Sequence, residues 1–239
     1  KNKLIPIDKF IDQALYNKLS GFYMKKNPFG LNGDFITSPN ISILFSEMIC
    51  IWIITLWKRI NNPKKINIVE MGAGNGEMML QIIKTSKQFP DVKKSCNFFI
   101  YEKSPYLKKI QNLKLKNYNV NWVKKLKKLP KVPTIFLGNE FFDSLPIKQF
   151  IKKKNIWFEK YVDISTHNKK NFEIKINIKK FEKKYGINLS KEQKFIEFSP
   201  LTFEIIKSIA NIINKQSGGL LIIDYGYFGK KMFDTLQSI

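Results

Sequence analysis

The sequence predicts an α/β fold built on a mostly parallel sheet flanked by helices, and three observations carry that expectation. Short apolar strands alternate with amphipathic helices from residue 66 onward. A glycine-rich turn, Gly72-Ala73-Gly74-Asn75-Gly76, joins the first of those strands to a helix. At 239 residues with 44% apolar composition, the chain is long enough to bury one sizeable core. A single domain is expected over 1–239, with a helical cap over 1–60 and an inserted β-hairpin region over 150–198.

Each element has its own local warrant. After Pro6, apolar residues at Ile7, Phe10, Ile11, Ala14, Leu15 and Leu19 follow helical spacing until Ser20-Gly21. A Gly-, Asn- and Pro-rich loop, Asn27 to Asn40, leads to Ser38-Pro39, a helix start. Ile41 to Trp57 then reads as a buried helix: Glu47 interrupts it, and a membrane span needs ~20 apolar residues. Ile66–Glu70, Asn97–Glu102, Val120–Val123 and Thr134–Gly138 read as strands, with helices over 77–89 and 105–115 between them. From Phe150 to Ile178 the period becomes two, which predicts an antiparallel hairpin turning at 165–171. Pro200 opens a last helix with Leu201, Ile205, Ile209, Ile212 and Ile213 on its apolar face, followed by the apolar strand Leu220–Asp224.

Composition excludes several function classes. The two cysteines, Cys50 and Cys96, sit in apolar runs and supply neither a disulfide framework nor a thiolate metal site. The one histidine, His167, lies in a polar turn, so no His-based triad or multi-His metal centre can be built, and no metal is expected. The formal charge is +23, yet Arg59 is the sole arginine among 42 basic residues. Bidentate recognition of phosphates and bases favours Arg, so a dedicated nucleic-acid surface is disfavoured, and the lysine excess matches what an AT-rich genome imposes on surface positions. Residues 1–11 alternate charged and apolar side chains without a secretory pattern, so an intracellular protein is expected. The absence of an initial Met and the character of residues 235–239 suggest an excerpt of a longer chain.

The chemistry concentrates where strands end. Glu70 precedes Gly72, Gly74 and Gly76 at the junction of strand and helix, where the backbone can turn tightly and offer free N–H groups to a ligand. A dinucleotide fingerprint would need its third glycine at position 77, which is Glu77, and pyrophosphate would meet that carboxylate unfavourably. The alternate-glycine spacing with a preceding acid is instead similar to the first motif of class I S-adenosylmethionine (SAM) methyltransferases. The bland alternative is a glycine-rich βα turn that holds no ligand. Glu102 closes the next strand, where a carboxylate can accept both hydroxyls of a ribose.

Several segments together resemble the MidA-like family of SAM-dependent methyltransferases, which includes a mitochondrial arginine methyltransferase needed for assembly of respiratory complex I. They are Gly33-Asp34-Phe35-Ile36-Thr37-Ser38-Pro39, Phe45-Ser46-Glu47, the glycine loop, and Tyr101-Glu102-Lys103-Ser104-Pro105-Tyr106-Leu107. Asn139-Glu140-Phe141-Phe142-Asp143-Ser144-Leu145-Pro146, the most specific segment, Glu197-Phe198-Ser199-Pro200 and Asp224-Tyr225-Gly226 complete the match. Departures fall at Asn40, Ser46 and Ala73, where the family usually has Glu, Gly and Pro. Family members continue past the Asp-Tyr-Gly motif, so the last strands of the sheet are expected to be missing.

The resemblance implies a Rossmann-like class I methyltransferase fold, SAM as cofactor and a protein arginine acceptor, with a respiratory complex I subunit as the partner. It implies a location in the bacterial cytoplasm or the mitochondrial matrix. Glu70, Gly72, Gly74, Gly76, Glu102 and Asn139 would hold the cofactor, and Gly33, Phe35 and Thr37 would form a flap across it together with Asp34. Glu140 and Asp143 follow the fourth strand and are expected to act as catalytic carboxylates, Glu140 anchoring the guanidinium. Against this stands the reading in which Asp143 caps a turn and Glu140 is merely solvated. Glu197 and Asp224 have no role assignable from sequence, and Tyr225 is a candidate for lining the acceptor pocket. Two rival functions remain: an assembly chaperone of the same fold without turnover, and an RNA methyltransferase.

Overall fold

In the computed structural model, residues 3–26, 28–30, 33–35, 37–165 and 170–236 are described, so His167 lies outside the described residues. Leu4–Pro6 is a short strand, β1, which the sequence reading did not anticipate, and the helix expected after Pro6 follows as α1, Ile7–Tyr16. Two single-turn helices come next, α2 (Phe22–Lys25) and α3 (Ser38–Ile41), the latter with Pro39 in its first turn. The long helix α4 (Ile43–Arg59) leads to β2 (Ile66–Met71), α5 (Glu77–Ser86) and α6 (Pro90–Ser95). The alternation continues through β3 (Cys96–Tyr101), α7 (Pro105–Lys114), β4 (Val120–Val123) and β5 (Thr134–Asn139). Beyond these come β6 (Lys148–Lys153), β7 (Ile156–Asp163), β8 (Asn171–Ile176) and α8 (Ile178–Tyr185). The chain closes on β9 (Phe195–Phe198), α9 (Pro200–Gln216) and β10 (Gly218–Ile223).

These elements gather into two compact units where the sequence predicts one domain. The larger comprises residues 16–144 and 204–225 and holds a five-stranded sheet in the order β10-β5-β2-β3-β4, with every pair parallel. The expectation of an α/β fold with a parallel sheet is met. The chain winds outward from β2 to β4, then returns to place β5 and β10 on the other side of β2, so the winding direction reverses between β2 and β5. In open α/β sheets such a switch point opens a crevice at the carboxyl ends of the strands, and ligands bind there. The core lies between one sheet face and helices α4 and α5, where Ile66, Ile68, Ile100, Ile135 and Leu137 pack against Ile49, Ile53, Met79, Ile82 and Ile83. Cys50 belongs to this core and Cys96 packs at its edge; both thiols are free.

Helix α4 corrects one expectation. It is buried along one side only, through Ser46, Ile49, Cys50, Ile53 and Trp57, while Leu44 and Met48 remain 62% and 58% exposed. Its continuous apolar run therefore concealed a helix with one solvent-facing side. Among the described residues, no helix is long and apolar enough to cross a membrane.

The smaller unit, 1–15 with 145–203 and 226–239, is an antiparallel sheet rather than a single hairpin. Strand β7 pairs with β8 along one edge, and with β6 and then β1 along the other; β9 pairs with β6. The turn expected at 165–171 lies largely outside the described residues, and β6 and β7 are joined by a turn at Lys154-Asn155, both at positive φ (45° and 63°). Two-residue hairpins demand that backbone, and Lys-Asn lacks the Asn-Gly signature that would have announced it. Ile178, expected at the end of a strand, instead opens α8, because the Asn177 side chain caps the helix by accepting from Lys180 N at 3.1 Å. Phe150, Trp157, Ile178 and Ile196 form the core of this unit.

Candidate active site

The glycine loop leaves β2 with Gly72, Gly74 and Gly76 at φ of 65°, 51° and 82°, all in the left-handed region that favours glycine. At Gly72 the demand is also steric, since a Cβ there would lie 2.7 Å from the Phe141 ring. The loop ends at the amino terminus of α5, where Asn75 Oδ1 accepts from Glu77 N at 3.2 Å. Glu70 is fully buried beneath the loop, where its carboxylate accepts the Met79 N–H of α5 and its Oε2 has no partner. Burial, with a smaller contribution from the Glu102 charge, pushes its pKa up to about 8.

Glu102 directly follows β3 and is held by donors. Its Oε1 accepts from Ser104 N at 2.8 Å, and its Oε2 accepts from Gln111 Nε2 at 3.0 Å. The same Gln111 nitrogen donates to the carbonyl of Gly74 at 2.9 Å, and its Oε1 accepts from Trp122 Nε1 at 2.8 Å. One side chain thus ties the glycine loop to the strand-end carboxylate. Burial raises the pKa of Glu102, against the pull of these hydrogen bonds. Sequence reasoning missed Gln111; the available signal was an amide at a helical position four residues from Leu107, on the face that the helix buries.

The N-terminal segment packs onto the same loop. Phe29 and Phe35 form an isolated parallel bridge, and Phe29 lies where a Cβ on Gly74 would meet its ring at 3.3 Å. Gly33 is required by a close approach, because a Cβ there would stand 2.4 Å from the Pro28 carbonyl oxygen. Thr37 Oγ1 accepts from Asn40 Nδ2 at 2.7 Å, and Asn40 Oδ1 accepts from Asn75 Nδ2 at 2.8 Å. Asn40, a departure from the resembled family, is therefore a structural link between this segment and the glycine loop. Asp34 is exposed and pairs with Lys26.

Across the switch point, β5 ends at Asn139, whose Oδ1 is buried without a partner while its side chain hydrogen-bonds to the Glu140 carboxylate. Glu140 adopts φ 48°, a left-handed conformation that costs of order 1 kcal/mol for a non-glycine residue, and its N–H donates to Ile223 O at 2.8 Å. Asp224 holds the turn that follows: its Oδ2 accepts from Phe142 N at 3.0 Å and Asp143 N at 3.2 Å. That gives Asp224 the role the sequence could not assign. Asp143 does accept a local N–H, from Ser144, as the capping reading expects, but it also lies within the fields of two other carboxylates. Burial first, then Asp224 and Glu140, push its pKa up to about 6, and burial with Asp224 also raises Glu140.

Two other candidates fall elsewhere. Glu197 lies in the antiparallel unit, where its carboxylate accepts from Gln149 Nε2 at 2.7 Å and Thr235 N at 3.0 Å. Tyr225, a candidate for the acceptor pocket, is 79% exposed.

A family model described as "Putative S-adenosyl-L-methionine-dependent methyltransferase" matches residues 48–239. The chain belongs to this methyltransferase family. It is 28% identical over 260 residues to the mitochondrial protein arginine methyltransferase NDUFAF7 of Xenopus laevis, covering 98% of this chain and 59% of that protein. Against the human protein of the same name it is 28% identical over 258 residues, covering 98% and 58%. The chain thus spans about three fifths of the length of these relatives. A crystal structure from Burkholderia thailandensis, bound to S-adenosyl-homocysteine, superposes with a TM-score of 0.74 at 19% identity, covering 94% of this chain and 59% of that one. This likeness supports the Rossmann-like fold.

The residues present fit the family's cofactor. SAM carries an ammonium and a sulfonium, and the strand ends offer a buried acceptor without a partner, Asn139 Oδ1, next to the strand that leads into the loop of left-handed glycines. Glu102, fixed by Ser104 and Gln111, keeps lone pairs for ribose hydroxyls. Glu70, the other acid expected to hold the cofactor, is buried at the end of β2 with its Oε2 unpartnered.

Proposed function

We propose that the protein transfers a methyl group from SAM to a guanidinium nitrogen of an arginine in a protein, with a respiratory complex I subunit as the client. The relatives' printed names support the arginine acceptor, and their mitochondrial label supports a mitochondrial location. The observation that carries the reading is the Gln111 bridge, which couples the glycine loop to Glu102 beside the turn bearing Glu140 and Asp143.

The cofactor, when bound, supplies an electrophilic methyl group on sulfur. Glu102 and the glycine loop orient the adenosyl end, leaving the protein to hold the nucleophile in line. Glu140, Asp143 and Asp224 gather negative charge that a cationic guanidinium neutralises. An arginine side chain has a pKa above ~12 and loses a proton as its nitrogen gains a methyl group. Asp143, its pKa pushed up to about 6, is the carboxylate we assign to receive it. Calorimetry with SAM tests the first step, and labelled SAM incubated with a cell extract identifies the acceptor. Glu140→Gln should abolish labelling while SAM binding persists; a chaperone without turnover would show no labelling in either form.

A second reading has one observation in its favour. Lys124, Lys125, Lys127, Lys131 and Lys215 line a cavity of about 540 Å³ between the 124–131 loop and α9, where Glu204 is the one carboxylate among the described lining residues. That charge suits an RNA acceptor. RNA affinity falling steeply with salt, together with label transferred to RNA, would establish it.

A further inference from the structure

The lysine-lined cavity beside α9 has a preformed wall. Its basic side is the segment that connects β4 to β5, where Leu126 and Leu129 are buried while Lys124, Lys125, Lys127 and Lys131 stay exposed. A single 3₁₀ turn over Leu126–Lys128 shapes the segment, with Leu129 N donating to Leu126 O at 3.0 Å. Its far end is tied to the sheet. Asn67, fully buried in β2, donates from Nδ2 to Pro130 O at 2.9 Å, and Thr134 Oγ1 donates to Val132 O at 3.0 Å. The backbone that carries the lysines is thus held by the protein's own bonds, which lowers the ordering cost of binding.

The charge in this cavity is left uncompensated. Among the described residues, none of the five lining lysines takes part in an ion pair, whereas Lys114, Lys148, Lys153, Lys160 and Lys179 each meet a carboxylate. Five ammonium groups around one space repel one another, and an anion entering it relieves that repulsion.

Size and lining narrow the class of anion. A volume of about 540 Å³ falls in the ~300–1,000 Å³ range of small-molecule sites, and exceeds what a lone phosphate fills. Lysine ammonium groups are point charges that bind phosphate oxygens without fixing a plane, so several of them suit several phosphates on one ligand. Tyr101 and the buried Leu126, Leu129 and Ile205 add apolar lining beside the charges. Gln216 also lines the cavity, and its Oε1 is buried without a partner, an unfilled acceptor for a hydroxyl or amino hydrogen. A single-stranded nucleic acid stacks successive bases on aromatic rings, and Tyr101 is the one aromatic among the described lining residues, with no arginine beside it.

We propose that this cavity is a second ligand site, made of residues other than those assigned to methyl transfer, and that it binds a small molecule carrying two or more phosphates. Nucleoside polyphosphates and inorganic polyphosphate share that chemistry.

The test is calorimetry on the full chain at ~0.15 M salt, with S-adenosyl-homocysteine in excess so that adenosine-like probes do not report on the cofactor residues. ADP, inorganic tripolyphosphate and adenosine are titrated separately. ADP and tripolyphosphate should each bind once per chain, and adenosine should not bind. The double variant Lys125→Gln/Lys127→Gln should weaken both phosphate ligands about tenfold or more, at unchanged Tm and unchanged S-adenosyl-homocysteine affinity. The double variant Lys183→Gln/Lys191→Gln removes the same charge from exposed lysines of the other unit and should leave both ligands within about twofold. ADP binding more tightly than tripolyphosphate assigns the site to nucleotides, and the reverse order assigns it to polyphosphate. No binding of either, or equal weakening by the two double variants, overturns the proposal, as does a short single-stranded RNA that displaces ADP and binds more tightly. Failure of S-adenosyl-homocysteine to bind defeats the methyltransferase reading instead and leaves the lysine dependence to be read by itself.

Discussion

The two halves of the candidate site treat their acids in opposite ways. On the cofactor side, Glu102 is met by donors from Ser104 and Gln111, which fix its orientation and oppose the cost of burial. On the proposed acceptor side, burial and the Asp224 charge raise the proton affinity of Glu140 and of Asp143, on a turn that holds Glu140 at a positive φ. A carboxylate surrounded by donors is ready to orient a neutral hydroxyl. Carboxylates surrounded by each other call for a cation, and their mutual repulsion is relieved when one arrives.

The largest effect should come from breaking the cofactor half at its floor. Gly72→Val would place a branched side chain at φ 65° and against the Phe141 ring, so SAM affinity measured by calorimetry should fall by more than ~100-fold, equivalent to ~3 kcal/mol. On the acceptor side, Glu140→Gln removes the charge but keeps the shape, and methyl transfer should slow by ~10²-fold or more while SAM affinity stays within about twofold. That split, rate without affinity, is what the contrast between the halves requires; loss of both together would merge them.

A smaller change sharpens the cofactor half. Gln111→Leu leaves the Trp122 N–H, the Gly74 carbonyl and Glu102 each short of a partner, which should cost ~1–3 kcal/mol in thermal or denaturant unfolding and weaken SAM about tenfold. The acceptor half should show itself in a pH profile. Activity should rise with pH as Asp143 loses its proton near 6, and Asp143→Asn should lower the rate and flatten that limb.

The last test concerns Glu70 and is read in stability rather than in activity. Its folded-state pKa is raised to about 8, above the ~4.3 of an unfolded glutamate, so between those values the folded chain holds a proton that the unfolded chain has released. Its stabilising contribution is present below pH ~4 and is lost as pH rises through about 8. Glu70→Gln should reduce that loss, measured as a shallower decline of Tm between pH 5 and pH 8 at roughly a degree or more.

Much of the parallel-sheet unit was legible because its signals are local. A short apolar run bounded by Gly or Pro predicts a strand wherever it falls, and the boundaries of β2, β4, β5 and α7 follow that pattern to within a residue. The antiparallel unit was less legible: β1 is three residues long and exists as a strand because β7 pairs with it from more than 150 positions away. Helix α8 was missed because Ile178 continues the alternation of β8 by one step, while the cap at Asn177 decides where the period changes.

What the amino-acid order determined alone was the alternation of strands and helices, the three left-handed positions of the glycine loop and the placing of Glu102 and Glu140 at strand ends. Each of these depends on backbone preference or on which face a residue presents, and both are properties of a few neighbouring positions. Only the tertiary structure decided that Gln111 joins the loop to Glu102, that Asp224 clamps a turn 81 positions away and that Tyr23 stacks on Phe29. Those relations depend on which strands lie side by side, and strand order is set by burial of the whole sheet rather than by any local stretch of chain.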